Sequence, residues 1–199
     1  MNSRGRPWWM APRFAPLLGA AIGAAGGGVY WLGALIWPTS IAVILSVFAT
    51  TLLSATAAGV GASAQAAGLG LLGVVFIILV KYEALLALSS ANLPFAVPAN
   101  VALGFIMIAG HAASRALLVS VSKPVSYADL GIALAIGFAP AVLIGIPGLA
   151  GVAAAIAARL LLMGHLNRRR RSADADLDLT LRLTEACFYL GALATRAYV

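Results

Sequence analysis

The sequence predicts an all-α, polytopic integral membrane protein, a bundle of about six or seven transmembrane helices. Of its 199 residues, 62% are hydrophobic and only 10% are charged, and the mean hydropathy is +1.01. A soluble domain is roughly half apolar and about a quarter charged. A chain of this length could not bury so many apolar side chains in one core in water. The solvent around most of the chain is therefore expected to be lipid.

Seven apolar segments are long enough to be considered as spans, since a spanning helix needs about 20 mostly apolar residues. Breaks fall where Pro, Gly or charged residues cluster. The predicted spans are 15–36, 39–58, 66–88, 99–121, 128–146, 148–164 and 178–196. Because Pro140, Pro147 and Gly148 interrupt the fifth and sixth segments, a kinked or re-entrant segment stays an alternative there. The chain divides into a basic amino-terminal segment, 1–14, and one transmembrane domain, 15–199.

The charge pattern predicts that the amino terminus faces the cytoplasm. In that orientation the basic residues of segment 1–14, Lys123 and the tract 168–171 lie in cytoplasmic loops, whereas the predicted outer loops carry no charge. Lys and Arg accumulate in cytoplasmic loops of inner-membrane proteins. This bias accounts for the net charge of +7. No module that combines aromatic and basic residues is present, so membrane lipids rather than nucleic acid are the expected partners.

Small residues predict close helix packing, since Gly19, Gly23 and Gly27 recur every four residues in the first span. The single cysteine, Cys187, excludes an intramolecular disulfide and a metal site made of several cysteines.

Few ionisable residues lie within the predicted spans, and each is a candidate for function because a charge in lipid is costly. His111 and Arg115 are four residues apart and share one helix face. Arg115 either extends to the membrane surface or points into the bundle and binds phosphate, for which a planar cation is suited. Lys81 and Glu83 are predicted to be interface residues near the outer end of the third span.

A basic tract and three acidic residues precede the last predicted span. Arg168 to Arg171 are interpreted as a topology or lipid-headgroup signal, with a ligand site as the alternative. Asp174, Asp176 and Asp178 fit the amino-terminal end of a helix, where carboxylates are favoured by capping and by the helix dipole. Ion pairing along Asp178, Arg182 and Glu185 is also available. The alternative is that one or two of these acids bind Mg²⁺.

Five segments, read in order, resemble the cobalamin synthase family, the membrane enzymes also called adenosylcobinamide-GDP ribazoletransferases. The segments that carry the resemblance are Arg13-Phe-Ala-Pro-Leu-Leu-Gly-Ala, Trp37-Pro-Thr-Ser-Ile-Ala-Val-Ile-Leu-Ser, Leu69-Gly-Leu-Leu-Gly to Val80-Lys81-Tyr82, His111-Ala-Ala-Ser-Arg115 and Leu183-Thr-Glu-Ala-Cys-Phe-Tyr-Leu-Gly-Ala-Leu-Ala. The last of them, similar to the family's leucine-threonine-glutamate helix, is the most specific.

The resemblance implies a Mg²⁺-dependent transferase of cobalamin biosynthesis in the bacterial inner membrane. It would join adenosylcobinamide-GDP to α-ribazole or its 5′-phosphate and release GMP. The implied partners are a corrinoid nucleotide and other membrane proteins of that pathway. The candidate ligands of the substrate phosphate are Arg115, Lys123, Arg168 and Arg171. The candidate metal ligands are Asp174, Asp176 and Glu185.

The sequence departs from the family where the family carries its acidic motif, histidine-x-aspartate-glycine-leucine-alanine-aspartate. After Ser54 a short uncharged linker leads into the third span, and no Asp or Glu occurs between Met1 and Val80. Ala, Ser and Gln cannot replace anionic oxygens around Mg²⁺. Either the chain has lost catalysis, or the remaining acids hold the metal.

Two other functions stay open. A non-catalytic membrane subunit could bind corrinoid intermediates or act as a scaffold for the pathway's other membrane enzymes. A small transporter is less favoured, because ion-coupled carriers usually place an acid near the middle of the membrane and no such acid is predicted here.

Overall fold

The computed structural model describes residues 12–57, 70–90, 99–120, 125–166 and 173–195, with only the backbone described for residues 70–71, 99–100, 164–166 and 173–179. Within these ranges the chain forms a short 3-10 turn, Pro12–Phe14, and seven α-helices. The helices are α1 (Ala15–Ala34), α2 (Thr39–Ala57), α3 (Gly70–Ser89), α4 (Ala99–Val119), α5 (Tyr127–Ile144), α6 (Ile146–Leu166) and α7 (Ala173–Ala194). The all-α bundle predicted from composition is confirmed.

Local sequence signals account for several helix ends. Pro16 lies in the first turn of α1, where its missing N–H has no intrahelical partner to lose. Ser126 caps α5, and its hydroxyl oxygen accepts a hydrogen bond from the Asp129 backbone N–H at 3.1 Å. Gly145, with φ of +79°, separates α5 from α6. The fifth and sixth predicted segments are therefore two separate helices, each long and apolar enough to cross a membrane.

Helix α4 lies at the centre of the bundle and packs against α1, α5, α7, α6 and α3. Of its residues Val101–Val119, 72% are buried, against 22% of the corresponding parts of α5 and α6. The glycines of α1 allow the closest contact: a Cβ at Gly23 would lie 2.6 Å from Ile108 Cα, and one at Gly27 would lie 2.8 Å from Gly104 Cα. The predicted packing role of the spaced glycines is thus confirmed.

Six of the described helices, α1 to α6, have the length and apolar composition to cross a membrane. Many large apolar side chains on these helices are exposed on the outside of the bundle, among them Phe48, Phe76 and Leu161. Lipid chains are the environment in which such a surface is stable. Helix α7 differs in composition, because five of its 22 residues are Asp, Glu or Arg. It packs against α6, α4 and α3.

Candidate functional site

A buried ion cluster joins three helices in the middle of the bundle. The Lys81 Nζ of α3 lies 2.6 Å from Oε1 of Glu185 on α7, and the two side chains are 7% and 5% exposed. The His111 Nε2 of α4 lies 3.0 Å from the same oxygen, an ion-pair distance when the imidazole is protonated. The Tyr189 hydroxyl also donates to that oxygen at 3.2 Å. One carboxylate oxygen therefore faces two basic side chains and one hydroxyl.

Helix periodicity explains why α7 presents this group to the bundle. Thr180, Thr184 and Glu185 are all buried, as are Phe188 and Tyr189, and positions four and five apart fall on one side of a helix. The Thr184 hydroxyl donates to the Thr180 carbonyl at 2.6 Å and so needs no partner on another helix. Glu185 is the charged residue on this buried face of α7, and it requires a counter-charge from another helix.

Arg115 is a second buried cation, one helical turn from His111. Its residue surface is 7% exposed. Its Nε and Nη2 atoms have no hydrogen-bond partner in the part of the chain that the structure describes. The side chain passes over Gly19 of α1, where a Cβ would lie 2.9 Å from Arg115 Cδ. Of the alternatives left open by the sequence, the structure favours an inward-pointing arginine over one that extends to the surface.

The cluster contains an excess of positive charge. Lys81 and Arg115 are cations, Glu185 is the one anion among them, and Arg115 is close enough to Glu185 to interact with it electrostatically. A charge in a low-dielectric interior is stabilised only by opposite charge or by hydrogen bonds. Lys81 has such compensation from Glu185, whereas much of the Arg115 guanidinium does not. Arg115 is therefore chemically suited to an anionic ligand.

A small cleft lies beside Lys81 and Glu185, in the half of the bundle where α2 ends. Its volume of about 10 Å³ fits roughly one water molecule. The residues that line it are Thr51, Ser54, Ile77, Ile78, Lys81, Leu181, Arg182 and Glu185. This half of the bundle is the one that the charge pattern assigns to the cytoplasm.

The structure brings together only some of the predicted site residues. Arg115 and Glu185 lie in the buried cluster, whereas Lys123, Arg168 and Arg171 fall outside the described residues. Asp174 and Asp176 are placed on the first turn of α7 by their backbone alone. The proposed phosphate contacts of Lys123, Arg168 and Arg171 stay predictions.

The predicted metal set does not fit one ion. Because α7 is a continuous helix, the eleven residues from Asp174 to Glu185 and the nine from Asp176 to Glu185 correspond to roughly 16 Å and 13 Å along the axis. Mg²⁺ binds its ligands at about 2.1 Å, so Glu185 cannot share an ion with either aspartate. Its carboxylate is already paired with Lys81. Among the described residues, no three His, Cys, Asp or Glu side chains form a group that could hold a metal.

One sequence interpretation is corrected by the cluster. Lys81 was expected at the membrane interface, but it is buried beside Glu185, while Glu83 is exposed. Glu185, which the sequence did not place near the middle of the membrane, contacts residues from the middle of α3 and α4. The burial of Lys81 could have been predicted from its position within an apolar segment, because a charge there usually faces a partner inside the bundle.

Comparison with known proteins identifies a relative among the membrane enzymes. The chain is 31% identical, over 172 residues, to the adenosylcobinamide-GDP ribazoletransferase of Leptothrix cholodnii (strain ATCC 51168 / LMG 8142 / SP-6). The chain is a distant relative of this ribazoletransferase. The match includes 67% of this chain, and the chain spans 62% of the length of the relative. No family model matches the sequence. No solved structure matches it.

Proposed function

We propose that this chain is a ribazoletransferase-like membrane protein of cobalamin biosynthesis. It joins adenosylcobinamide-GDP to α-ribazole, or to its 5′-phosphate, and releases GMP. The match to a protein of that name supports the proposal, together with the five resembling segments, which keep the same order along the chain. The proposed location is the bacterial inner membrane, with the amino terminus in the cytoplasm.

Arg115 is the residue that we assign to the substrate phosphate. It lies four residues, or about 6 Å along the axis, from the end of α4, within reach of the proposed cytoplasmic surface. Two of its guanidinium nitrogens are buried without a hydrogen-bond partner among the described residues. In phosphoryl transfer, arginine binds and orients the phosphate oxygens and stabilises the negative charge that develops on them.

Mg²⁺ is part of the proposal through the resemblance alone. Three carboxylates have described side chains, and they do not form a site for Mg²⁺. Glu83 is exposed, Asp129 lies 3.5 Å from Arg13, and Glu185 is paired with Lys81. Asp174 and Asp176 are kept as candidates on the first turn of α7. No step of the proposed reaction is assigned to the metal.

The test is GMP release by the purified full-length protein with adenosylcobinamide-GDP and α-ribazole, measured with Mg²⁺ and with a chelator. We expect release above a protein-free control, and a decrease of about a hundredfold in kcat/KM for Arg115→Met, typical of removing one preorganised donor. Glu83→Gln, at an exposed position of α3, is the matched control and should retain the activity. Release no faster than in the protein-free control would exclude autonomous catalysis.

A non-catalytic corrinoid-binding or scaffold subunit is the second candidate. The observation that favours it is the shortage of carboxylates: no acid precedes Glu83 in the chain, and the described residues contain no metal-binding group. This candidate predicts saturable binding of adenosylcobinamide-GDP without GMP release, and co-purification with other membrane enzymes of the pathway. Binding that is unaffected by Arg115→Met would count against the assigned phosphate site.

A further inference from the structure

Helix α7 has a composition that does not by itself favour a membrane interior. It carries Asp174, Asp176, Asp178, Arg182 and Glu185 within 22 residues, whereas each of the other described helices has at most two Asp, Glu, Lys or Arg. Each such charge at the centre of a spanning helix costs about 2.5–3.5 kcal/mol on insertion scales. The position of α7 in the bundle therefore needs a compensating interaction.

Two kinds of contact are available to α7. Its small-residue side packs closely on α6, where a Cβ at Gly151 would lie 2.9 Å from the Phe188 ring, and one at Gly191 would lie 2.6 Å from the Ala150 carbonyl oxygen. Its polar side meets α3 and α4 through Glu185. The contact with α6 leaves the Glu185 charge uncompensated. The contact with α3 and α4 is therefore the one that offsets the cost of burying this charge.

The partners of Glu185 come from helices that precede α7 by a long stretch of chain. Lys81 supplies the cation at 2.6 Å, His111 lies at 3.0 Å, and Tyr189 of α7 itself donates a hydrogen bond. Arg115 adds a second positive charge nearby. Without α7, Lys81 and Arg115 would lack the carboxylate that balances their charge, and Glu185 would be an unpaired anion if α7 entered without them.

We propose that Lys81 and His111 form a polar dock that holds α7 in the bundle through Glu185. In this arrangement α3 and α4 must be in place before α7 can enter, and the docked state of α7 depends on charge compensation more than on apolar character. The proposal concerns assembly and is independent of the proposed transferase activity.

Cys187, two residues beyond Glu185, is a natural probe of this docking, because it is the single cysteine of the chain and it is partly buried on α7. The experiment measures the rate at which a membrane-impermeant maleimide labels Cys187 in the full-length protein in sealed vesicles and in detergent. The unchanged protein should be labelled slowly compared with the denatured chain. Equally fast labelling of both would overturn the proposal.

Lys81→Met is the decisive variant, because it leaves the unpaired charge on α7 itself. We expect its Cys187 to be labelled faster by about tenfold or more. This factor is conservative, because the free-energy cost of an uncompensated buried charge corresponds to a larger one. The double variant Lys81→Met with Glu185→Met should return to slow labelling, since it removes both charges. Lys81→Arg and Glu83→Gln are the matched controls and should label as slowly as the unchanged protein.

Each other outcome is also informative. If Lys81→Met fails to accumulate in the membrane while the double variant accumulates normally, charge compensation is supported by that rescue. If Lys81→Met labels like the unchanged protein, α7 is held by its packing on α6 and the proposal is wrong. It is equally wrong if the double variant labels as fast as Lys81→Met or is lost with it.

Discussion

At the scale of single residues, the interior contains two cations in different situations. Lys81 has a carboxylate at 2.6 Å, whereas Arg115 has two guanidinium nitrogens without a partner in the described ranges. Removing one member of a buried ion pair leaves the other uncompensated, while removing a poorly paired charge relieves a desolvation cost. The two residues should therefore contribute to stability in opposite ways.

Thermal or denaturant unfolding of the solubilised protein checks this difference. We expect Lys81→Met to lower the free energy of unfolding by about 3–5 kcal/mol, and Arg115→Met to lower it by less than about 1 kcal/mol or to raise it. Retaining Arg115 would then be a matter of function, which the GMP-release assay tests separately. Equal losses of stability in both variants would instead make Arg115 a structural residue.

At the scale of helices, α1 and α4 are held together by backbone proximity. Gly23 faces the Ile108 Cα and the Met107 carbonyl oxygen of α4, both 2.6 Å from where a Cβ would be. Gly28, five residues later on the same helix, has nothing within 4 Å of that position. In lipid such close contacts supply much of the packing energy, because apolar surface gains little by leaving lipid for protein.

The two glycines form a matched pair for substitution. Gly23→Leu should separate α1 from α4 and lower the free energy of unfolding by about 1–3 kcal/mol or more, the usual cost of overpacking a core. Gly28→Leu adds the same side chain on an open surface and should change stability by no more than about 0.5 kcal/mol. Unfolding of both variants in the same detergent is the measurement. Similar losses from both would show that helix propensity or detergent contact, and not the α4 backbone, governs the effect.

At the scale of the whole molecule, the six apolar helices and the positions of the basic residues together predict an orientation in the membrane. If α1 to α6 each cross the membrane once, the basic segments 1–14 and 167–172 are predicted to lie on the same side. The positive-inside rule predicts that this side is the cytoplasm. The Arg13–Asp129 ion pair, at 3.5 Å, joins the starts of α1 and α5 at this same side.

Cysteine accessibility in intact cells tests the orientation. In a Cys187→Ala background, a cysteine at Ser90, which follows α3, should react with an impermeant maleimide from outside. A cysteine at Ser126, which precedes α5, should react only after the cells are opened. Both positions are exposed. The reverse pattern would invert the topology, and reaction of both from outside would exclude the six-span arrangement.

The lipid environment, the helices and some of their packing follow from the amino-acid sequence alone. A chain this apolar, with few charges, is stable in lipid, and in lipid a helix satisfies every backbone polar group internally. Pro, Gly and Ser126 mark the ends of several helices. The spaced glycines of α1 also predicted a close helix contact, which α4 provides. Arg115 and Glu185 could be singled out because ionisable side chains within spans are rare.

Which of these side chains meet becomes clear from the packing of the helices in three dimensions. Lys81 and Glu185 are 104 positions apart, and the sequence placed one at an interface and assigned the other to a metal site. A helix in lipid is apolar on all sides, so its hydrophobic pattern does not reveal which face turns inward, as it does in water. The rotation of α3, α4 and α7 about their own axes is set by small-residue contacts and by charge pairing between distant segments. The pairing of Lys81, His111 and Glu185 becomes visible only when all three helices are packed together.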